Sequence, residues 1–468
     1  MSAPTKTSFS LGQYSWAFFE WARNPYWNLI IIFIFGPYFS TEVVGDAVRG
    51  QTIWGYINAF AGAVTALLAP FLGAIADKVG RRKPWIGAIV VMMCPAILLL
   101  WFAVPGSADI GIATVAIALA IASTGYAFSE VFHNAMLPSV APYSRIGTLS
   151  GVGLALGNSA SLLILLFMLY AFALPASGQL DWPWLPDVVM CGLDTGLFEH
   201  DRISAPISAL WMLVFSLPLF LFTPDQQGTG TRARQAIREG LDDVWQTFRH
   251  LRQHKNVATY LVARMFYNDG NAAIMTFGMI YSAGVFGWGG VERILVALLL
   301  MIFAVAGGLI GGRLDDAFGS KRAIVVAVFG SCVGVLLAVS ITPTTIGFIP
   351  FEGLDEPVWG FAYFRTLPEL LYVATTILFA LFITSASANS RTMLARIAPE
   401  GQMTKFFGLY ALSGQVTAFI APLMVAIFTD LFVSQRAGLA SILVLLIAGL
   451  VMMAWVRESR ESQLQEQS

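Results

Sequence analysis

Charged residues are scarce in this sequence. Asp, Glu, Lys and Arg make up 12% of the 468 residues, against about 25% in soluble proteins, and 57% of the residues are hydrophobic. The hydrophobic residues come in runs of about 20, the length that a helix needs to cross a bilayer core of about 30 Å. A soluble globular fold is therefore excluded. The net charge of −1 gives no indication of a nucleic-acid partner.

Cysteine is scarce too, and motifs for catalysis are lacking. Cys94 and Cys332 lie inside hydrophobic runs and Cys191 lies in a polar loop, so neither a disulfide framework nor a metal site is predicted. The sequence contains no phosphate-binding loop, metal-ligand spacing or nucleophile motif. We therefore predict that the protein is not an enzyme, needs no cofactor or metal, and draws its energy from a gradient rather than from ATP.

Twelve hydrophobic segments are long enough to be membrane-spanning helices. All of them must be helical, because an unpaired backbone group in hydrocarbon costs several kcal/mol. The first segment contains Glu20 and Arg23, which a cleavable signal peptide would lack, so we interpret it as a permanent span. The expected spans are 14–39, 52–76, 86–104, 110–137, 148–174, 206–223, 257–286, 291–312, 322–342, 369–395, 403–430 and 437–456.

The Lys and Arg residues are distributed unevenly between the two sides of these spans. Most of the 27 fall on the side that holds both termini. The other side has only Arg49, Arg202, Arg293, Arg365 and Arg436. By the positive-inside rule, both termini are expected in the cytoplasm. We expect a multi-pass protein of a bacterial-type inner membrane, surrounded by lipid and monomeric.

Two segments of the first half recur in the second half. The segment GAIADKVGRRK at 73–83 returns as GRLDDAFGSKR at 312–322, and NAMLPSVAP at 134–142 returns as RTMLARIAP at 391–399. Such repeats predict two six-helix bundles in parallel orientation, with a substrate site between them near the middle of the membrane. The predicted bundles are 1–223 and 257–457.

The segments outside the two bundles are predicted to lie in the cytoplasm. Residues 224–256 carry apolar residues at helical spacing between basic ones. This pattern is typical of a helix on the membrane interface, although a solvated linker with one apolar face would show it too. Residues 458–468 are predicted to be a disordered tail.

The motifs resemble those of a known transporter superfamily. The pattern at Gly73, Asp77, Gly80 and Arg81 is similar to the signature loop of the major facilitator superfamily. Within it, the chain resembles the vacuole-effluxer-like family, which includes an autophagy-related amino-acid exporter. The segments that carry this resemblance are FEWARN at 19–24, EVFHNAMLP at 130–138, RMFYNDG at 264–270, SR at 390–391 and FFGLY at 406–410.

This resemblance implies the fold and a class of activity. The fold class is an all-α polytopic membrane protein with twelve transmembrane helices in two parallel-repeat bundles, the major facilitator fold. The implied activity is efflux by alternating access. The first motif departs from the family pattern, because Glu20 stands where the family usually has an aspartate, and Arg23 before Asn24 brings an added positive charge to the expected cavity.

Ionisable residues within the spans mark the candidate site, since each costs at least about 2.5–3.5 kcal/mol to insert. They lie in the first, fourth, seventh and tenth spans, the helices that line the cavity in the superfamily. The ionisable candidates are Glu20, Arg23, Glu130, His133, Arg264, Asp269 and Arg391.

Helical spacing places several of these residues on shared faces. Glu20 and Arg23 are three residues apart and Asn24 follows within one turn of Glu20, so we expect them to contact the substrate or the gate, or to form a structural ion pair. Pro25 is expected to weaken the helix at this point.

Glu130, His133 and Asn134 share a second face. We expect Glu130, His133 and Asp269 to exchange protons during transport, although His133 suits a hydrogen-bonded core position equally well. Arg391 is expected to hold a substrate carboxylate, or to act as the counter-ion of an acid.

The segment Asn268-Asp-Gly-Asn271 is a poor sequence for the interior of a helix. It predicts a break in the seventh span that exposes backbone groups to the cavity, or an Asp269 that only packs the two halves together. Asn268, Asn271 and the neighbouring Tyr267 are therefore candidates for substrate contact.

The signature loop predicts a gate. Gly73, Gly80, Asp77 and Arg81 are expected to latch the cytoplasmic side through a carboxylate at a helix N-terminus. Asp316 is the matching acid in the second copy.

Three functional hypotheses follow. The first is a secondary transporter, driven by a proton or another coupling ion, that exports small amphipathic solutes such as amino acids. The second is transport of a lipid or large amphiphile. The third is a membrane assembly factor that uses the same fold without transporting.

Overall fold

A computed structural model describes most of the chain, with gaps in the loops and at the termini. The described residues are 9–106, 110–141, 145–180, 182–183, 185–186, 188–226, 254–398, 406, 409–410, 413–414 and 416–458. The side chains of 69–70, 73–79, 138 and 146–147 are not described. The central loop from 227 to 253 and the tail from 459 lie outside this range, so most of the helix and the tail predicted there do too. Glu458, predicted as the start of the disordered tail, is instead buried and hydrogen-bonded.

Within the described residues, twelve principal helices follow one another along the chain. Those of the first half are α1 (Leu11–Tyr26), α2 (Ala47–Val79), α3 (Lys83–Leu99), α4 (Ile112–Val140), α5 (Ile146–Met168) and α6 (Ser204–Phe222). Those of the second half are α7 (Lys255–Phe286), α8 (Gly290–Phe318), α9 (Ser320–Ser340), α10 (Leu367–Ile397), α11 (Ile420–Phe432) and α12 (Gln435–Trp455). The all-α, twelve-helix prediction is confirmed.

Shorter elements extend or connect these helices. The short helical segments are Trp27–Phe33, Phe35–Tyr38, Phe39–Val43, Leu100–Phe102, Leu169–Ala173, Leu174–Ser177, Met190–Gly192 and Glu199–Arg202. Two antiparallel strands, β1 (Thr345–Ile346) and β2 (Ile349–Pro350), form a small hairpin between α9 and α10.

Eight of the described helices are long and apolar enough to cross a membrane on length and composition alone: α3 to α6, α8 to α10, and α12, some with a short extension. The described part of α11 is apolar but has only 13 residues. In α1 and α7 the polar and charged residues of the candidate site lower the hydropathy. α1 has only 16 residues, and α2 is likewise not among the eight, whereas α4 and α10, which also carry candidate site residues, are.

The helices pack mainly within their own half of the chain. In the first half α1 lies against α5 and α6, and α4 lies against α2 and α3. In the second half α7 lies against α12, and α10 lies against α8 and α9. The broadest contact between the halves is that of α2 with α11. A Cβ at Gly55 of α2 would lie 2.7 Å from the Cβ of Ala426, so glycine lets these two helices touch.

The break predicted in the seventh span is wrong. Helix α7 runs without interruption through Asn268 to Asn271. Gly270 is explained by packing instead, because a Cβ there would lie 2.9 Å from the side chain of Leu446 on α12. The tight packing of α7 on α12 therefore outweighs the weak helix propensity of the segment.

The first span does depart from regular α-helix, as Pro25 predicts. α1 ends at Tyr26, and a π-helical segment, Trp27–Phe33, follows directly. Proline removes a backbone donor and crowds the preceding turn, which disturbs the hydrogen-bond ladder. This irregular segment turns Trp27 toward the interface between the two halves.

The bundle has two faces, which we name by the residues that mark them. On the terminal face, the Thr223 hydroxyl donates to the Gly12 carbonyl at 3.0 Å, and the Asn256 amide donates to the Arg457 carbonyl at 2.8 Å. The distal face is the opposite end, where α2 begins at Ala47.

Polar contacts join the two halves at the distal face. The Gln51 side chain donates to the Thr429 hydroxyl at 2.8 Å, and the Gln435 side chain donates to the carbonyl of Ala47 at 3.0 Å. An ion pair adds to them, with Arg293 Nη2 at 3.8 Å from Asp201 Oδ1. The Ser177 and Tyr363 hydroxyls lie 2.8 Å apart. The described contacts therefore hold the halves together at this face.

At the terminal face, each half uses a carboxylate to cap its third helix. Asp225, just beyond α6, accepts from the backbone N–H groups of Arg82 and Lys83 at 3.0 and 3.1 Å. Glu458, just beyond α12, accepts from those of Ser320 and Lys321 at 3.0 and 3.1 Å. The free N–H groups and the dipole of a helix N-terminus favour an anion there. The two halves thus share this device at equivalent points.

Glu458 also belongs to a charged network with two other residues. Arg396 Nη1 lies 2.7 Å from Glu458, and its Nη2 lies 3.0 Å from the buried Asp315. Burial by itself would raise the pKa of Glu458. The hydrogen bonds from Arg396 and from the two backbone N–H groups outweigh it and hold the pKa below its ordinary value.

We predict that Glu458→Gln destabilises the protein and flattens its pH dependence. Because the pKa of Glu458 is lowered by folding, its contribution is fully present above the unfolded pKa of about 4.3 and is lost as pH falls through the folded value. Removing the charge should cost about 1.5–3 kcal/mol near pH 7. Thermal unfolding of the detergent-purified protein from about pH 7 to about pH 3 measures this.

The matched control is Asp316→Asn. Asp316 is an exposed acid on α8, next to the network but without a hydrogen bond or ion pair to a described residue. This variant should have the same midpoint temperature of unfolding as the wild type, and that midpoint should fall with pH in the same way. Equal midpoints for wild type and Glu458→Gln across the pH range would contradict the role assigned to Glu458.

Candidate functional site

A cavity of about 280 Å³ lies between the two halves. Its wall is formed by the segment after α1, by helices α2, α4 and α7, and by the region of α11. The lining residues are Trp27, Asn58, Ala61, Gly62, Thr65, Ser123, Tyr126, Ala127, Glu130, Asn268, Asp269, Ala272, Ala273, Thr276, Phe277, Gly414, Ala418 and Pro422. A partly open cavity of mixed polarity between two bundles is a typical ligand site.

Two carboxylates face this cavity from opposite halves. Glu130 comes from α4 and Asp269 from α7. The described wall contains neither Lys nor Arg. The sequence predicted both acids as proton-exchanging groups, and the structure brings them to the same cavity.

Asp269 stabilises a discontinuity in the neighbouring helix. Residues 417–419 form a turn just before α11 begins at Ile420, and Ala418 of this turn lines the cavity. The Ala421 backbone N–H donates to Asp269 Oδ2 at 3.0 Å. A carboxylate at a helix N-terminus supplies an acceptor for a backbone group that lacks an intrahelical partner. The cavity does contain a helix break, but it precedes α11 rather than interrupting α7.

A charge cluster lies behind the wall in the first half. Arg23 is almost fully buried, with Nη1 at 3.4 Å from Glu20 and Nη2 at 3.0 Å from Glu130. Its guanidinium also lies over the ring of Tyr126, 4.4 Å from the centroid. Arg23 therefore bridges two acids, of which Glu130 reaches the cavity and is 38% exposed.

His133 is fully buried at the back of this cluster. Its Nε2 lies 2.8 Å from the Trp16 carbonyl, and its ring stacks on the Trp16 indole with centroids 4.3 Å apart. Since a carbonyl can only accept, Nε2 must carry a proton. Nδ1 lies 3.2 Å from Glu20 Oε1 and has no aligned hydrogen-bond partner among the described residues.

The predicted amide residues have different surroundings. Asn268 lines the cavity. Asn24 packs against Gly157 of α5, where a Cβ would lie 2.4 Å from its amide nitrogen. Asn134 is exposed and is not among the lining residues. Asn271 is buried, and its Oδ1 has no partner among the described residues. Only Asn268 is thus brought to the cavity.

Tyr267 and the remaining two arginines lie away from the cavity wall. The Tyr267 hydroxyl lies 2.7 Å from that of Ser390. Arg264 donates to the Tyr410 carbonyl at 2.9 Å and to the Ser413 hydroxyl at 2.8 Å. Arg391 is exposed on α10 and makes no ion pair with a described residue. The structure therefore does not bring Arg391 to the two acids.

The signature-loop residues lie at the terminal face. Gly80 adopts a φ of +85° between α2 and α3, a conformation that favours glycine. Arg81 is exposed, and the side chains of residues 73–79, including Gly73 and Asp77, are not described. In the second copy Asp316 is exposed, while its neighbour Asp315 is buried and pairs with Arg396.

Several cavity residues were not predicted from the sequence. Tyr126 and Thr276 lie on the faces of Glu130 and Asp269, so helical spacing could have indicated them. Asn58 and Thr65 come from α2, which carries no charge in its membrane interior to mark it.

We predict that Arg23→Met destabilises the fold by about 3 kcal/mol, since the change leaves two partly buried carboxylates without their cation. Adding Glu130→Gln should restore part of this loss, because one of the stranded charges is then removed. The measurement is thermal unfolding of the purified variants in detergent.

Arg391→Met is the matched control. Arg391 is exposed, so its substitution should change stability by no more than about 0.5 kcal/mol. Equal loss of stability in Arg23→Met and Arg391→Met would contradict the bridging role of Arg23.

Comparisons with known proteins agree with this architecture. A family model described as "Vacuole effluxer Atg22 like" matches residues 40–466. An uncharacterized MFS-type transporter of Bacillus subtilis (strain 168), YxiO, is 22% identical over 462 residues, which are 98% of both chains. Autophagy-related protein 22 of Schizosaccharomyces pombe is 22% identical over 237 residues, 50% of this chain and 42% of the fungal protein. The chain thus spans less than half of that fungal relative.

Solved structures show the same fold. A D-xylose-proton symporter superposes with a TM-score of 0.63 at 10% identity, over 96% of this chain and 97% of the symporter. The nucleoside transporter NupG superposes with a TM-score of 0.62 at 12% identity, over 95% and 98% of the two chains. At such low identity these likenesses show the fold alone. The chain belongs to the vacuole effluxer Atg22-like family and is an integral membrane transporter of the major facilitator type.

Proposed function

We propose that this protein is a proton-coupled transporter that exports small amphipathic solutes, such as amino acids, by alternating access. Residues 1–223 move against residues 257–457 about the central cavity. The observation that carries the proposal is the meeting of Glu130 and Asp269, one from each half, in the same cavity.

An acid on each side of a moving interface suits proton coupling. Charge inside a membrane is costly, so a carboxylate there gains or loses its proton as its neighbours change. When the two bundles move, Glu130 and Asp269 change their distance from each other and their access to water. Motion and protonation are therefore linked.

The Arg23 cluster allows Glu130 to change charge without stranding a cation. Arg23 contacts both Glu20 and Glu130. When Glu130 takes a proton, Glu20 still compensates the buried guanidinium. The cluster can therefore lose one negative charge at a low cost in free energy. This suits Glu130, which must alternate between its protonated and its charged form in each transport cycle.

The distal contacts suit a gate that opens in every cycle. Most of those that join the halves are hydrogen bonds between neutral groups, as for Gln51 and Gln435. Each such bond contributes a net of about 0.5–1.5 kcal/mol. The gate can thus open without separating many buried charges.

The size of the cavity favours small solutes over lipids. A volume of about 280 Å³ is at the lower end of ligand pockets, which run from about 300 to 1,000 Å³. The Lys and Arg distribution supports a cytoplasmic location of both termini in an inner membrane. On this topology, export moves solute from the terminal face to the distal face.

We predict that Asp269→Asn and Glu130→Gln each abolish proton-driven transport while the protein still folds. An amide keeps the shape of the side chain but cannot exchange a proton. The measurement is flux of a radiolabelled amino-acid panel in proteoliposomes with an imposed pH gradient. Gel filtration and thermal unfolding of the same variants test folding.

Asp355→Asn serves as the control, since Asp355 is an exposed acid between α9 and α10 that does not line the cavity. It should keep the wild-type response to the gradient. Full proton-driven flux in both cavity variants would refute coupling through these groups.

A further inference from the structure

We propose that the substrate carries a positively charged amine, which the cavity binds between Glu130 and Asp269. This inference rests on the proposed transport function and narrows it. The sequence predicted that Arg391 holds a substrate carboxylate. We instead infer that two acids bind the ammonium group of the substrate.

The charge of the cavity wall supports a cation. Its two ionisable residues are both acids, and no Lys or Arg lines the described wall. The stretch from Phe406 to Ile420, only part of which is described, contains no charged residue at all in the sequence. Because Arg23 compensates Glu130 from behind the wall, the uncompensated charge of the described wall is that of Asp269, which attracts a cation and repels an anion.

Asp269 lacks a counter-ion. Its side chain is 6% exposed, yet it lines the cavity. Its Oδ2 accepts from the backbone of Ala421, while Oδ1 has no hydrogen bond and the carboxylate has no ion pair with any described residue. A buried charge without a partner is costly, and a bound ammonium group would remove that cost.

Neither nearby arginine lines the described wall of the cavity. Arg23 is occupied by Glu20 and Glu130. The guanidinium carbon of Arg264 lies 3.5 Å from the centroid of the Tyr410 ring, and its Nη1 donates to the Tyr410 carbonyl and to the Ser413 hydroxyl. Its Nε is buried and has no hydrogen-bond partner among the described residues.

Aromatic rings complete a site for an organic amine. Trp27, Tyr126 and Phe277 line the cavity, and the rings of Trp27 and Tyr126 stack with centroids 5.5 Å apart. The Arg23 guanidinium already lies over the Tyr126 ring, so the aromatic groups left to attract a substrate cation are Trp27 and Phe277, which can also pack against the apolar part of an amphipathic amine. The volume of about 280 Å³ limits the substrate to a small molecule of this kind.

Three tyrosine derivatives with one ring and different charges test the inference. Tyramine carries only the amine, tyrosine carries amine and carboxylate, and N-acetyltyrosine carries only the carboxylate. Binding to the purified protein is measured by calorimetry and by thermal stabilisation. Radiolabelled exchange in proteoliposomes is measured beside protein-free liposomes, which report passive permeation.

We expect tyramine to bind about tenfold more tightly than tyrosine or better, and N-acetyltyrosine not to bind. Asp269→Asn should weaken tyramine binding by about tenfold or more, because the ammonium loses its charged partner. Arg391→Gln should leave tyramine binding unchanged.

Two results would overturn the inference. One is binding of N-acetyltyrosine, or of tyrosine through Arg264 or Arg391, in the absence of tyramine binding; proton-driven flux of those solutes would then leave the proposed function intact. The other is no response to tyramine at any concentration up to its solubility limit. A failure of both the amino-acid panel and tyramine to move with the pH gradient would instead count against the proposed function.

Discussion

The cost of charge inside a membrane determines how this molecule is built, and three buried ionic groups bear that cost in different ways. Arg23 is compensated by two carboxylates, and Arg264 by a carbonyl, a hydroxyl and an aromatic ring. Asp269 has only one backbone N–H among the described residues. The least compensated of the three is also the one that lines the cavity. Such a deficit disfavours a purely structural role, since evolution could remove it by an apolar residue of similar size.

The two halves keep a common scaffold but differ in their charges. Asp225 and Glu458 cap the third helix of each half at equivalent points. The acid of the first half, Glu130, has its own cation within the half, whereas Asp269 has none. The two halves thus share the carboxylate that caps the third helix of each bundle. They differ in charge at the cavity, where the halves meet. A cavity with one compensated and one uncompensated acid can hold a substrate cation without a full rearrangement of both sides.

The sequence predicted the membrane class, the helices and the two cavity acids, because hydrophobic length and the rarity of intramembrane charge are local signals. It did not predict which helix would break. Asn268 to Asn271 have poor helix propensity, but the packing of Gly270 on Leu446 keeps α7 intact, and the break falls before α11. Nor did it separate Asp315 from Asp316, since adjacent residues differ only in the direction they face. The same limit applies to Arg391. Whether it faces the cavity depends on the rotation of its helix about the helix axis, which a single sequence does not determine.

A proton and an amine would compete for the same carboxylate, and that competition is itself a coupling mechanism. If Asp269 is neutral when protonated, it no longer attracts an ammonium group; if it binds the ammonium group, it no longer favours a proton. The cavity then carries one or the other across the membrane but not both. Export of an amine would return a proton in the opposite direction without a separate relay. The second acid, Glu130, can follow the same rule because Arg23 remains paired with Glu20. On the proposed function, exchange would follow from this placement of charge, and the motion of the two bundles would supply the change of access.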